Sequence, residues 1–141
     1  MTTPKSAITL LMAFGILAAL CAFALADDLP PKALAAIKAK FPKALIGEVE
    51  REFDEEEGPK LYAVELELGD DEREVVVSAD GVIVALGAEI SRRDLPKTVM
   101  TVIANLEKGA RVREAEKRDV FAVHRYGRLL TLAKPVTIYE M

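Results

Sequence analysis

The segment LYAVELEL, residues 61–68, alternates apolar and polar side chains along most of its length. Because successive side chains of a β-strand point to opposite faces of a sheet, this period of two predicts a strand with one buried and one solvent-facing side. Turn-forming sequences on both sides of the segment favour antiparallel neighbours. The apolar side comprises Tyr62, Val64, Leu66 and Leu68, and the other side comprises Ala63, Glu65 and Glu67.

Similar segments along the chain predict further strands, separated by short turn sequences. In the first half the strands fall at 46–53, 60–68 (the strand that contains the segment above), 72–78 and 82–87, and in the second at 111–117, 120–125, 128–133 and 136–140. The turns are expected at Gly69-Asp70-Asp71, Asp80-Gly81, Arg118-Asp119, Tyr126-Gly127 and Lys134-Pro135. Each half is therefore expected to contain a four-stranded antiparallel meander.

A helix is predicted in front of each meander, and both helices open with the same letters. DLPPKALAAIKAKFP begins at Asp28, and DLPKTVMTVIANLEK begins 66 residues further on, at Asp94. An aspartate suits the N-cap of a helix, and proline is tolerated in the first turn because its missing N–H would have no partner there. Apolar side chains then recur at helical spacing: Leu34, Ile37 and Phe41 in the first segment, and Val99, Met100, Ile103 and Leu106 in the second. Pro42 and Gly109 would end the two helices.

The shared register indicates an internal repeat, with residues 27–87 as the first copy and 88–141 as a degenerate second copy. The predicted fold class is α+β: a duplicated helix plus four-stranded antiparallel meander, with the helices on one face. One copy buries too little apolar surface to be stable alone, so the two are expected to pack as one unit. Two sheets joined at their edges and one long sheet are both compatible with this pattern.

The N-terminal residues 1–26 have the pattern of a signal peptide. Lys5 precedes a charge-free run from residue 7 to 26, which ends in Ala24-Leu25-Ala26, a small-residue cleavage motif. We therefore predict export to the periplasm or the medium. An uncleaved membrane anchor is the alternative, and membrane contact is expected only in that case. Cys21, the only cysteine, would be lost on cleavage, which excludes disulfides in the mature chain.

The charge and the reactive residues restrict the classes of function. Residues 27–141 carry 18 basic and 23 acidic side chains, a net charge of −5, which disfavours binding to nucleic acid and to anionic lipid. No glycine-rich phosphate-binding motif is present, so no nucleotide cofactor is predicted. His124 is the only histidine, and we expect it on the surface rather than in a zinc or catalytic site. The chain is therefore predicted to be non-catalytic, with no cofactor.

Acidic side chains provide the remaining candidate sites. The runs at 54–57 (DEEE) and 70–72 (DDE) would lie in hairpin loops, where carboxylates either bind calcium or simply remain solvated, and no metal ligands are assigned. The polar side of the 61–68 strand is a candidate docking surface for a protein. The predicted contact residues are Ala63, Glu65, Glu67 and Val76, with Phe121 as a further apolar candidate. The alternative is that these acids only keep an exposed sheet face soluble.

Several motifs resemble one family of exported bacterial proteins. They are the helical segment AAIKAKFPKALI, the run GEVERE, the strand YAVEL and the closing strand SADGVIV. Together they resemble the PepSY-like, beta-lactamase-inhibitor-protein-like family over residues 28–87, whereas the second copy departs from the pattern at FAVHR and at Lys134-Pro135. The resemblance implies an exported module without catalytic activity, which binds or inhibits a secreted or envelope enzyme through an open sheet face. An envelope protein that binds a small ligand or calcium is the alternative.

Overall fold

The computed structural model of the chain describes residues 28–52, 58–106, 112 and 114–141. These residues form a mostly β fold, in which six antiparallel strands follow one another in chain order across a single sheet. The helices are α1 (Pro31–Lys40) and α2 (Lys97–Leu106), and a short 3-10 turn (Arg92–Asp94) precedes α2. The strands are β1 (Leu45–Glu52), β2 (Leu61–Leu68), β3 (Asp71–Ser78), β4 (Ile83–Glu89), β5 (Glu116–Arg125) and β6 (Arg128–Glu140).

The first half folds close to the sequence-based expectation. Its four strands begin and end within two residues of the predicted bounds, and α1 precedes them. Side chains of α1 pack onto the apolar side of β2 and β3, which confirms the inward side predicted for the 61–68 strand. The buried cluster consists of Leu29, Ala33, Ile37, Val64, Leu66, Val75 and Val77. Within the described part of the chain, none of its members comes from α2.

The second half contradicts the predicted duplication, because its described residues form two long strands where four were expected. The predicted turn at Arg118-Asp119 lies in the middle of β5. Both side chains have partners on other strands: Arg118 contacts Glu74 of β3, and Asp119 accepts a hydrogen bond from the Thr137 hydroxyl of β6 at 2.6 Å. A charged dipeptide such as Arg118-Asp119 is typical of a solvated turn, but here both side chains have polar partners within the sheet. The predicted second meander, and with it the predicted α+β fold class, is wrong.

Lys134-Pro135, the other incorrectly predicted turn, lies within β6. Val120 pairs with Val136, whereas Ala122 pairs with Thr131, so residues 132–135 of β6 face Phe121 alone. This irregularity accommodates proline, which has no N–H for a regular ladder and is therefore found at sheet edges and bulges. β6 is the last strand of the sheet, so the irregularity lies at a sheet edge, and the strand continues through it without a turn.

The repeated Asp-Leu-Pro sequence does produce the same local structure twice. Leu29 and Leu95 are both buried, at 5% and 6% exposure. A proline follows each leucine, and its carbonyl accepts the first helical hydrogen bond. Pro30 accepts from the N–H of Leu34, and Pro96 accepts from the N–H of Met100. The predicted aspartate N-cap is wrong for α1, because the cap residue is Pro30 and no side chain caps the helix. Asp94 likewise lies in the 3-10 turn, before α2 begins at Lys97.

Some predictions fall on residues that the structure does not describe. They are the signal peptide at 1–26, the acidic run at 54–57, the helix end at Gly109 and the start of the predicted 111–117 strand. Within the described residues, neither helix has the length and apolar composition needed to cross a bilayer.

Candidate docking face

The strand register decides which predicted contact residues share a surface. Glu65 of β2 pairs with Glu74 of β3, Ala63 pairs with Val76, and Glu67 pairs with Glu72. Directly opposed residues of antiparallel strands lie on the same face. All four predicted contact residues therefore lie together on the face of the sheet opposite α1.

Carboxylates from all six strands lie on this surface, and exposed apolar side chains accompany them at the two edge strands: Leu45 of β1, and Val136 and Ile138 of β6. The register extends from β3 through Gly87 of β4 to Arg118 of β5, and then to β6. Among the described strand residues that the register places on this face, Arg118 is the basic residue. We call the surface the acidic face and define it by Glu50, Glu65, Glu67, Glu72, Glu74, Glu89, Glu116, Glu140 and Arg118.

Arg118 connects three strands of the acidic face. Its Nη2 lies 3.1 Å from a carboxylate oxygen of Glu116, 3.2 Å from Glu74 and 3.8 Å from Glu140. The contact from β5 to β3 passes over β4 at Gly87, where a Cβ atom would collide with the Glu116 carboxylate. The absence of a side chain at position 87 thus leaves room for the ion-pair network.

The environment of Glu74 reflects this crowding of negative charge. Burial raises the pKa of Glu74 above its ordinary value of 4.5, and the nearby carboxylates of Glu116, Glu52 and Glu50 raise it further. Arg118 opposes the increase without cancelling it. Burial of the guanidinium lowers the pKa of Arg118, but the hydrogen bond and ion pair with Glu116, together with the charges of Glu140 and Glu74, raise it above its ordinary value. The centre of the acidic face is therefore an organised ion-pair network, whereas Glu65 and Glu67 stand exposed beside it.

A groove of about 250 Å³ lies at the end of the sheet that carries Glu67, Glu72 and Glu89. Its lining includes Glu65 and Glu67 of β2 and also the basic Arg73 of β3, so a positively charged group that entered it would meet more carboxylates than guanidinium groups. The acidic lining residues are Glu65, Glu67, Glu72, Glu74, Glu89 and Glu116.

Two apolar candidates do not present a contact on this surface. Val76 lies on the acidic face but is only 4% exposed, so it offers no accessible apolar anchor there. Phe121 lies against α1, because the Nζ of Lys40 sits 4.3 Å from the centre of its ring. His124 is exposed, in agreement with its predicted surface position.

Arg118, Glu116 and Glu140 complete the acidic face and were not among the predicted contact residues. A local signal existed, because Glu116 and Arg118 are two residues apart and would share one face of a strand. Because a turn was predicted at Arg118-Asp119, Glu116 and Arg118 were not assigned to one face of one strand. Partners such as Glu74, 44 residues away, become apparent only from the strand order.

No group of three or more His, Cys, Asp or Glu side chains within the described residues is arranged to hold a metal ion. Asp70 and Asp71 are exposed at the turn between β2 and β3. The calcium hypothesis therefore stays a prediction. Comparison of the chain with family models, curated proteins and solved structures finds no match. The family resemblance stays a prediction as well.

Proposed function

We propose that this protein is an exported, non-catalytic binding module whose acidic face docks onto a basic surface of a secreted or envelope protein. The observation that carries the proposal is the concentration of carboxylates on one face of a continuous sheet, with Arg118 as their basic companion. Complementary charge accelerates encounter and selects partners more than it adds affinity. The surface thus suits recognition of a cationic patch.

The ion-pair network supports docking because it fixes part of the surface in advance. Arg118 holds the carboxylates of Glu74 and Glu116 at hydrogen-bond distance, so these side chains lose little further freedom on binding. Glu65 and Glu67 are exposed beside the network and are free to pair with lysine or arginine of a partner. The network serves as a rigid base, and the exposed glutamates serve as the contacts.

A charge-reversal experiment tests this proposal. The tagged protein and the double variant Glu65→Lys/Glu67→Lys are used to capture crosslinked partners from an envelope fraction. A partner identified by mass spectrometry is then purified for titration. We expect binding to weaken about tenfold or more in the variant, and to weaken with added salt in the unchanged protein.

The matched control is Asp28→Lys/Asp94→Lys, which makes the same change in net charge at two exposed positions outside the strands. Its binding should stay within twofold of the unchanged protein. Equal loss in both double variants would reduce the effect to overall charge and would contradict a specific acidic face. A partner that binds both variants as tightly as the unchanged protein would also contradict it.

A further inference from the structure

The hairpin that joins β5 to β6 ends in a tip whose chemistry is opposite to that of the acidic face. Its turn is Tyr126-Gly127, and Arg125 pairs with Arg128 across it. Tyr126 is 83% exposed, although tyrosine usually buries much of its ring. The Arg125 guanidinium lies 5.1 Å from the centre of that ring. We define the hairpin tip as residues 123–130.

The backbone of the tip is strained by its sequence. Tyr126 has a φ of 53° and Gly127 a φ of 75°, so both residues occupy the left-handed region that a tight two-residue hairpin turn requires. Asparagine or glycine is common at the first of these positions, whereas a bulky aromatic residue is unfavourable there. A strained, exposed tyrosine is of no benefit to folding, which favours a role in contact with something outside the molecule.

Charge along the chain is segregated around this tip. No aspartate or glutamate occurs between Asp119 and Glu140, whereas Arg125, Arg128 and Lys134 all lie in that segment. Arg125 lies nine positions after Glu116 of the acidic face along β5, a separation of roughly 30 Å in an extended strand. The Debye length at physiological salt is only about 8 Å. The acidic face therefore does not neutralise the positive potential of the tip.

Apolar side chains accompany the positive charge. Val123 and Leu130 pair directly across the two strands, and they are 39% and 42% exposed. Tyrosine is enriched at membrane–water interfaces, where its ring sits among the headgroups, and arginine is attracted to anionic lipid. Positive charge, an exposed tyrosine and exposed apolar side chains together favour a lipid surface.

We propose that the hairpin tip binds the surface of a bilayer containing anionic phospholipid, with Arg125 and Arg128 on the headgroups and Tyr126 at the interface. The net negative charge of the whole chain disfavours such binding, but residues 120–139, which include the tip, contain basic side chains and no carboxylate. Asp80, in the turn at the same end of the sheet, is paired with Lys32 of α1 at 3.6 Å. Membrane binding at the tip is separate from the proposed docking at the acidic face.

The test is co-sedimentation with vesicles of phosphatidylcholine that contain phosphatidylglycerol, compared with phosphatidylcholine alone. Protein recovered from the producing cells is used with the N-terminus it carries there, so that any contribution of residues 1–26 is the same in every variant. We expect binding to the anionic vesicles only, and about 25-fold weaker binding for Arg125→Gln/Arg128→Gln. The matched control, Arg92→Gln/Arg93→Gln, loses the same charge at the other end of the sheet and should bind within twofold of the unchanged protein.

The variant Tyr126→Asn separates contact from folding. Asparagine suits the left-handed position, so this protein should melt at a higher temperature than the unchanged one, yet bind anionic vesicles about fivefold more weakly. Equal binding to both kinds of vesicle, or equal loss in the two arginine double variants, would overturn the proposal. Concentration-dependent self-association that Arg125→Gln/Arg128→Gln abolishes would also overturn it, in favour of the acidic face of a second copy as the ligand.

Discussion

The two segments that open with Asp-Leu-Pro begin alike and lead to different structures. In both, a buried leucine precedes a proline whose carbonyl starts a helix. After that point the first segment leads into four short strands and a shared core, whereas the second leads into one long hairpin. Ile37 of α1 is 1% exposed, while Ile103, at the equivalent position of α2, is only half-buried. Similar local sequence starts similar helices, but the sheet beneath each helix decides how much it buries.

The comparison also separates stability from recognition. The first half holds the described core cluster and provides the exposed glutamates of β2. The second half adds Arg118 to the acidic face and carries the basic hairpin tip. We infer that residues 28–89 stabilise the fold, and that the second half shapes the two surfaces proposed for binding.

The largest expected effect comes from truncating the equivalent isoleucines. Ile37→Ala should lower the free energy of unfolding by about 3–5 kcal/mol, because it leaves a cavity in a fully packed site. Ile103→Ala should cost no more than about 1–2 kcal/mol, because its side chain is already partly in contact with water. Urea unfolding of both variants measures the difference. Equal losses would indicate that the two helices are equally well packed.

A smaller effect is expected at the turn that packs against α1. Gly81 has a φ of +87°, and a Cβ there would lie 2.7 Å from the Lys32 carbonyl oxygen, so Gly81→Ala combines backbone strain with a collision. Gly69 has a similar φ of +73° but no atom near its Cβ position. We expect Gly69→Ala to cost about 1 kcal/mol and Gly81→Ala about 2–3 kcal/mol, measured by thermal or urea unfolding. If the two variants lose the same stability, the close approach of this turn to α1 does not contribute.

The smallest effect concerns the ion pair that joins the two halves, Glu74 with Arg118. Because burial raises the pKa of Glu74, the folded state holds its proton more tightly than the unfolded state does. Stability should therefore decrease as the pH rises from 4.5 through the raised pKa of the folded protein. Glu74→Gln should remove that decrease and change the free energy of unfolding near neutral pH by less than about 1 kcal/mol. Urea unfolding across the pH range measures both quantities.

Asp119 provides the control of opposite sign. The hydrogen bond from Thr137, with help from Lys117, holds the pKa of Asp119 below its ordinary value of 3.8. Its contribution to stability is present above that pH and is lost as the pH falls through the lower pKa of the folded state. Asp119→Asn should therefore alter only the acid side of the stability profile. A change of the same sign in both variants would contradict these assignments.

Sequence alone predicted the elements whose pattern is local. The alternation in residues 61–68 placed β2 to within one residue and identified its buried side. The two Asp-Leu-Pro sequences located both helices, although the capping residue was wrong. The Tyr126-Gly127 turn was also correct, because its glycine suits a left-handed turn position.

Features that depend on distant partners were not predictable in the same way. Arg118-Asp119 has the composition of a turn. Its partners, Glu74 and Thr137, are distant in the sequence and lie beside it only in the folded sheet. Val76 was wrongly predicted to be an accessible contact. Alternation predicts the face of the sheet on which a side chain lies, but it does not predict how deeply that side chain is buried. Glu65 and Glu67 were placed correctly on one surface, whereas the Arg118 network that organises that surface required the strand order.

Amide hydrogen exchange at Ile37 and Ile103 tests the unequal packing of the two helices most directly. We predict that the Ile37 amide exchanges only through global unfolding, and that the Ile103 amide exchanges through local opening, at least about 100-fold faster. Both amides lie at equivalent positions of equally long helices, so helix length does not account for such a difference. Equal protection at the two positions would show that both halves are held by one equally stable core and would contradict the account.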